Sequence, residues 1–551
     1  MSVLQERGDV LARGVQRTAV RISRLLSDTD SVERRRLRTR VRDVRTTVQP
    51  VFGTRRWSGF YDHWTDPRTP VCDAPVKHPA RRLAATLSAL LVTGLVAVPP
   101  ADAGEALGTP GARGIGDSYF PDDGNGGYDV EHYDIHDTYR LRSGVLTGWT
   151  DVSARATQDL SSLSLDLVLT PDAVSVDGQP VTFAKAGRHE LTVTPAATIP
   201  TGAEFVVRVK YHGTPGKVAW DGERPFFAEP DEVVAMNEPH VAPWWFPSND
   251  HPQDKALYDI TVRVARGNAV ISNGTRVSRT VSGPWTTSHW RMTKPMASYL
   301  AFFAAGRFRV QSGVSRGLPW TVAVSSWFDR RTQDQQLRLL RRTPGVVHWL
   351  ATQLGPYPFD STGGVMTSIA TGFALENQSR PTYPYLGSGH EARSIVVHEL
   401  AHQWFGDQVS VERWRDIWLN EGFATWAEWR YDETHGGAKG WQRLLREYAA
   451  HPANRAFWRL RIANPGPSRM FNQPVYDRGA MTLQALRHRI GTAAFLTVLR
   501  RWVEQNAFAG ATTAEFEALA ETVSGQDLDG FFDRWLRTGS KPARTAANGL
   551  R

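Results

Sequence analysis

Apolar and polar residues alternate along much of the chain between Tyr128 and about Phe308. Leu163, Leu165, Leu167 and Leu169 interleave with Ser164 and Asp166, and residues 204–211 (EFVVRVKY), 258–265 (YDITVRVA) and 269–273 continue this β-branched, turn-bounded style. A period of two turns one face of each segment toward a core, which predicts strands. Residues 128–310 are therefore expected to form a β-sheet domain. Beyond them the period changes: residues 331–354 read as helix, 355–359 (GPYPF) as a loop, and 391 onward as mostly helix, with 531–536 (FFDRWL) a late one. Residues 311–544 are expected to form a mostly helical α+β domain. The Gly-, Pro- and Asp-rich stretch 104–127 reads as a flexible N-terminal segment, and 545–551 as a disordered tail. No repeat with a period of about 20–50 residues is visible.

The stretch 81–103, RRLAATLSALLVTGLVAVPPADA, follows a different order: Arg81 and Arg82, sixteen mostly apolar residues from Leu83 to Val98, then Ala101-Asp102-Ala103. That is the order of a secretory signal, with cleavage expected after Ala103. The apolar run is short for a membrane span, and its Thr, Gly and Pro-Pro interruptions argue against a buried core helix. Residues 1–80 form a basic leader. Translation that really begins near Val76 would give the signal a short charged start, whereas a genuine cytoplasmic extension is the other reading. Arg81-Arg82 also permits a twin-arginine route. A secreted protein is expected, with no stable membrane insertion after cleavage.

Charge and cysteine narrow the function classes. The 551 residues carry a formal charge of +9, but the first 82 hold 18 Lys+Arg and 9 Asp+Glu, and the remainder holds 47 of each. A nucleic-acid partner therefore has no electrostatic support outside the leader. The single cysteine, Cys72, also falls in the leader. The exported part can rely on no disulfide, no thiolate catalysis and no Cys-based metal site.

The chemistry concentrates in residues 394–407, SIVVHELAHQWFGD. His398 and His402 lie four apart, so on a helix both imidazoles leave one face a turn apart, as two ligands of a single metal must, and Glu399 beside them can reach a water at that metal. Two solvated histidines on an ordinary amphipathic helix would be the bland alternative. Glu421, nineteen residues after His402 within 414–426 (WRDIWLNEGFATW), offers a third ligand from a second helix. Glu428 returns to the face of Glu421 two turns on and can accept from a ligating histidine, a role for which Asp407 competes. His390-Glu391 repeats half of the motif with no histidine at 394 and reads as a loop before the helix.

With these motifs the sequence resembles the zinc aminopeptidases of the aminopeptidase N family, which includes leukotriene hydrolase and sits among the thermolysin-like gluzincins. The resemblance rests on HELAHQWFGD (398–407), WLNEGFA (418–424), VYDRGAM (475–481), GFALENQ (372–378), YDVEHYDI (128–135) and FPSNDHPQDKA (246–256). It covers nearly all of residues 104–551 and is to a short form, without the long helical C-terminal domain of larger members, which implies a more open cleft. A saddle-like β domain on a thermolysin-like catalytic domain is the implied fold.

The resemblance implies one zinc held by His398, His402 and Glu421, with Glu399 as general base and Tyr476 as the hydroxyl that stabilises the oxyanion. It implies that Glu376, with Ala374 and Asn377 of the same motif, binds the substrate's N-terminus, and that Glu238 is a second anchor from the β domain. Two departures stand out: Phe373 and Leu375 replace the Gly and Met of the usual Gly-Ala-Met-Glu-Asn, and Met236 stands where a glutamine precedes Glu238. The implied partners are peptides with a free N-terminus. A thermolysin-like endopeptidase would share the zinc set but lack the amine anchors. An inactive binding protein would have lost Glu399 or a ligand, and none is lost. Epoxide hydrolysis has no positive feature in the sequence.

Overall fold

The computed structural model describes residues 108–220 and 222–551. The basic leader, the export segment with its cleavage position and Cys72 lie outside the described residues.

The alternating pattern builds an eight-stranded sheet at the centre of the β domain. Its order is Thr275–Ser282, Trp285–Ala297, Lys255–Ala265, Tyr128–Arg140, Val145–Ala156, Glu204–Gly213, Thr170–Val176 and Gln179–Pro180. Only the Lys255–Ala265 and Tyr128–Arg140 pairing is parallel. A bulge between Val130 and His132 shifts the phase of Tyr128–Arg140, so its buried set changes from Tyr128 and Val130 to Tyr133, Ile135 and Tyr139. Leu163–Leu169 is strand only as far as Asp166, where Leu160–Asp166 leaves the ladder, although Leu167 and Leu169 stay buried.

Residues 108–127 are not the loose segment that their composition suggests. The Gly111 N–H donates to the Ser162 carbonyl, Asp117 pairs with His251, and Asp123 pairs with His240 in the β domain's interior. The acids that make this stretch look solvated are its buried anchors.

The second domain opens with a four-stranded sheet, Phe308–Ser315, Leu318–Ser325, Thr362–Met366 and Thr382–Tyr383. The helical run expected over 331–354 is two helices, Arg330–Leu340 and Thr343–Leu354. Pro344 has no N–H to continue the first and sits in the opening turn of the second. His390 is not in a loop; it begins the helix His390–Ala401 and pairs with Asp432.

Helix Trp418–Thr434 then crosses helix Gln473–Ile490 backbone to backbone at a pair of glycines. A Cβ at Gly479 would lie 2.7 Å from the Gly422 Cα, and one at Gly422 would lie 2.8 Å from the Gly479 Cα. The glycines of WLNEGFA and VYDRGAM are thus what allow the two helices to touch. Next to Gly479, buried Arg478 donates to the main-chain carbonyls of Trp458, Leu460, Arg534, Trp535 and Thr538, which ties the C-terminal turns to this helix. The tail is likewise not loose: Leu550 is buried, and the Asn548 carbonyl accepts from the Trp535 indole. Composition misjudges both ends because their partners lie far away in sequence.

The two domains are tied by buried polar contacts. Lys255 Nζ donates to the Asp407 and Gln408 carbonyls, Asn273 Nδ2 to the Gln378 carbonyl, and Arg380 Nη1 to the carbonyls of Ser272 and Gly274. Among the described residues no helix is long and apolar enough to cross a membrane.

Candidate metal centre

His398 and His402 project from the last turn of His390–Ala401 and the residue after it, and Glu421 from the first turn of Trp418–Thr434. Helical spacing brings the two rings edge to face, with centroids 4.8 Å apart. Glu421 Oε2 lies 3.2 Å from His398 Nε2 and 3.5 Å from His402 Nε2, and all three ligand atoms fall within 4.8 Å of one another.

The outer nitrogens are already engaged. His398 Nδ1 is 2.8 Å from Glu428 Oε1, whose other oxygen accepts from Ser394 Oγ, and His402 Nδ1 is 2.9 Å from the Phe405 carbonyl. Each partner accepts the Nδ1 proton and leaves the Nε2 lone pair facing inward, as metal ligation requires. Asp407 does not take this role. The helix ends at Ala401, and the chain turns so that a main-chain carbonyl reaches His402 while the Asp407 carboxyl is buried beyond it. Two neutral imidazole nitrogens and one carboxylate fit zinc by number and chemistry.

The charges of the metal-free site are consistent with this assignment. Burial alone would raise Glu421, but the imidazoles of His402 and His398 outweigh it and hold the carboxyl down to about 2. Burial would lower His402, yet Glu376 and Glu421 bring it up to about 9. His398, facing Glu421 and Glu428, is also well above the ordinary imidazole range. Zinc and protons would therefore compete for these nitrogens.

Glu399, on the same helix, is buried, and that burial pushes it up to about 8 against the opposing pull of the two histidines. Glu376 joins it: the ligand atoms of Glu376, Glu399 and His402 also lie within 4.8 Å of one another. Glu376 is itself raised, by burial first. Its Oε1 takes a long hydrogen bond, 3.4 Å, from the Tyr299 hydroxyl of the β domain. Glu238 is half-buried, with its Oε1 enclosed and without a hydrogen-bond partner, and is raised well above the carboxylate range, by burial and then by the charge of Glu376. An acid of the β domain is thus near enough to feel the charges of Glu376, Glu421 and Glu399. The Tyr476 ring, at the start of Gln473–Ile490, stacks beside His398 with centroids 6.0 Å apart.

The buried Asn377 side chain donates to the Leu300 carbonyl at the domain junction. Ala374 precedes Leu375, whose N–H and C=O are both tied to Thr382, so strand alternation aims the main-chain groups of Ala374 to the other side.

Sequence reasoning missed Gln403 and Tyr299. Gln403 Nε2 donates to the Glu376 carbonyl while its Oε1 accepts from the Ser379 N–H, which fixes the loop that presents Glu376 to the helix that presents Glu399. The signal for Gln403 was its place four residues after Glu399 on the same face.

Comparisons with known proteins find relatives of both domains. The peptidase M1 N-terminal domain matches residues 130–300, and the peptidase family M1 domain matches residues 378–535. Glutamyl aminopeptidase of Bitis rhinoceros is 24% identical over 470 residues, which is 75% of this chain and 46% of that protein. Aminopeptidase M1-D of Oryza sativa subsp. japonica is 26% identical over 446 residues, 73% of this chain and 49% of that one. The chain therefore spans about half the length of the curated relatives it matches. Among solved structures, the M1 zinc metallopeptidase from Deinococcus radiodurans superposes with a TM-score of 0.69 at 28% identity, covering 78% of this chain and 98% of that chain. A mutant of that enzyme bound to a Tyr-Ser-Ala substrate gives the same TM-score at 26% identity, covering 79% and 99%.

Proposed function

Because the chain belongs to the peptidase M1 family, we propose that it is a zinc aminopeptidase that removes single N-terminal residues from peptides. The observation that carries this reading is the convergence of Glu376, Glu399 and His402, whose ligand atoms lie within 4.8 Å of one another inside one buried site. An acid suited to an ammonium group sits there beside the group suited to move protons.

His398, His402 and Glu421 would hold zinc, which when bound polarises the scissile carbonyl and acidifies water. Glu399 takes a proton from the attacking water on its carboxylate and returns it to the leaving amine. Burial suits it to both steps, since a carboxyl held above its ordinary range keeps a proton long enough to pass it on. The Tyr476 hydroxyl donates to the oxygen on which charge develops. Glu376 and Glu238 bind the free α-ammonium, whose positive charge relieves the repulsion between them, and Tyr299 and Gln403 hold Glu376 in position. An internal peptide segment has no such charge to offer and would leave two acids unmatched, which favours the aminopeptidase reading over an endopeptidase. The order of residues 81–103 supports export, with removal of the first 103 residues.

Aminoacyl fluorogenic amides with free and acetylated amines test the reading. A charge-assisted hydrogen bond is worth about 1.5–3 kcal/mol, so blocked substrates should react at least about tenfold more slowly. Glu376→Ala should slow the free-amine substrates and shrink that gap. Internal cleavage of blocked peptides as fast as free ones would overturn the aminopeptidase reading while leaving zinc dependence intact.

A further inference from the structure

A second convergence of ligand atoms lies in the β domain, remote in sequence from the zinc motif. Asp166, the last residue of Leu160–Asp166, pairs directly across an antiparallel ladder with Glu190, the first residue of Glu190–Thr194. Like charges directly opposite one another destabilise a sheet. Here both are also buried, at 1% and 6% exposure. Among the described residues, each forms an ion pair with His189 alone.

The distances between the side chains do not suit hydrogen bonding. His189 Nε2 is 3.7 Å from Asp166 Oδ1 and 4.0 Å from Glu190 Oε2, both too long for a hydrogen bond. They come close to the spacing around a shared ion: metal bonds of about 2.1 Å in a tetrahedral site set ligand atoms about 3.4 Å apart. The ligand atoms of the three side chains lie within 4.8 Å of one another, and the Asp122 carbonyl, which His189 Nε2 reaches by a 3.1 Å hydrogen bond, is near enough to become a fourth donor once that proton is displaced.

The surroundings prepare these atoms. Asp166 Oδ2 is taken up by Asn125 Nδ2 and the Asp250 N–H, which leaves Oδ1 buried and without a hydrogen-bond partner. Glu190 Oε1 is also buried and unpartnered. The His189 ring is stacked on Trp220, with centroids 4.0 Å apart. A shared proton would answer the repulsion between two carboxylates, but it needs no imidazole set at near-equal distance from both. A cation uses all four groups.

We propose that Asp166, His189 and Glu190, with the Asp122 carbonyl, form a second divalent-cation site of the zinc class, with a structural role in the β domain. The mixed imidazole and oxygen donors favour zinc or a similar transition metal over calcium or magnesium. The ion would fasten residues 108–127 to the sheet through Asp122. The proposal does not depend on the aminopeptidase reading, and its test reads metal rather than turnover.

The tag-free full chain should be stripped with chelator, reloaded with zinc, freed of excess and analysed for metal. About two zinc ions per chain are expected in the wild type, and about one in His398→Ala/His402→Ala, in which the catalytic ligands are gone. The melting temperature of that double variant should rise with added zinc, and the rise should vanish when His189→Gln is added. No zinc in the double variant would overturn the proposal in favour of a shared proton, as would one zinc retained after His189→Gln. If the triple variant does not fold, zinc X-ray absorption on the double variant decides: one imidazole among oxygen donors supports the site, and two or more overturn it.

Discussion

Replacing Gly479 by alanine perturbs the catalytic arrangement without touching a catalytic group. The new Cβ would lie 2.7 Å from the Gly422 Cα, whereas carbon atoms pack at about 3.5–4.0 Å. The helices Trp418–Thr434 and Gln473–Ile490 must therefore part by about 1 Å. Alanine gains about 1 kcal/mol of helix propensity, and overpacking costs about 1–3 kcal/mol, so the net loss is at most about 2 kcal/mol and the protein should still fold. The effect on rate should be larger. Tyr476 rides on the displaced helix, while His398, His402 and Glu421 sit on two others, and a misplacement of about 1 Å can lower a rate about 10²-fold. Zinc content, melting temperature and kcat on a free-amine aminoacyl amide should show retained zinc, a fall of a few degrees and a loss of about 10² in kcat. Gly345→Ala is the control, because a Cβ there meets open space; it should leave kcat unchanged. A folded, zinc-loaded Gly479→Ala protein with wild-type kcat would refute the role given to the glycine crossing.

Three further outcomes are expected. Glu399→Gln should keep its zinc by elemental analysis and lose about 10² or more in turnover, since general acid–base catalysis contributes on that scale; a near-wild-type rate would show that another base acts. Glu428→Ala removes the acceptor that orients His398 and should weaken zinc binding about 10–100-fold in a chelator competition, with unchanged affinity counting against that role. Zinc affinity should also depend on pH in a set direction. His402 in the metal-free chain stays protonated up to about 9, and zinc needs the neutral ring. Raising the pH from 6 to 8 removes a competing proton and should tighten binding at least about tenfold per unit, flattening above 9; a pH-independent affinity would contradict the protonated metal-free site.

The parts of the molecule legible from sequence are those written in local spacing. The four-residue step between His398 and His402 and the seven-residue step from Glu421 to Glu428 each return a side chain to one helical face, and the structure brings these four residues together. What the sequence hides is main-chain chemistry and distant partners. Nothing marks the Phe405 carbonyl as the acceptor for His402, so the sequence offers only the acids Glu428 and, in competition with it, Asp407. Asp117 and Asp123 look solvated until their histidines, more than a hundred residues away, are seen beside them. Asn377 reads as part of a binding motif, yet its side chain serves the domain junction.

The hydrogen bond from Tyr299 to Glu376 and the approach of Glu238 to the same acid mean that the two halves of the chain contribute unequally. Every group suited to breaking the peptide bond comes from the helical half, whereas the pocket that would select the peptide's first residue is walled by both. Exchanging β domains between relatives would therefore change which peptides are admitted while leaving the hydrolytic machinery as it is, provided that the graft keeps a lysine to reach the carbonyls beyond the zinc motif as Lys255 does. Selectivity can drift along one half of the molecule while the chemistry of the other stands still.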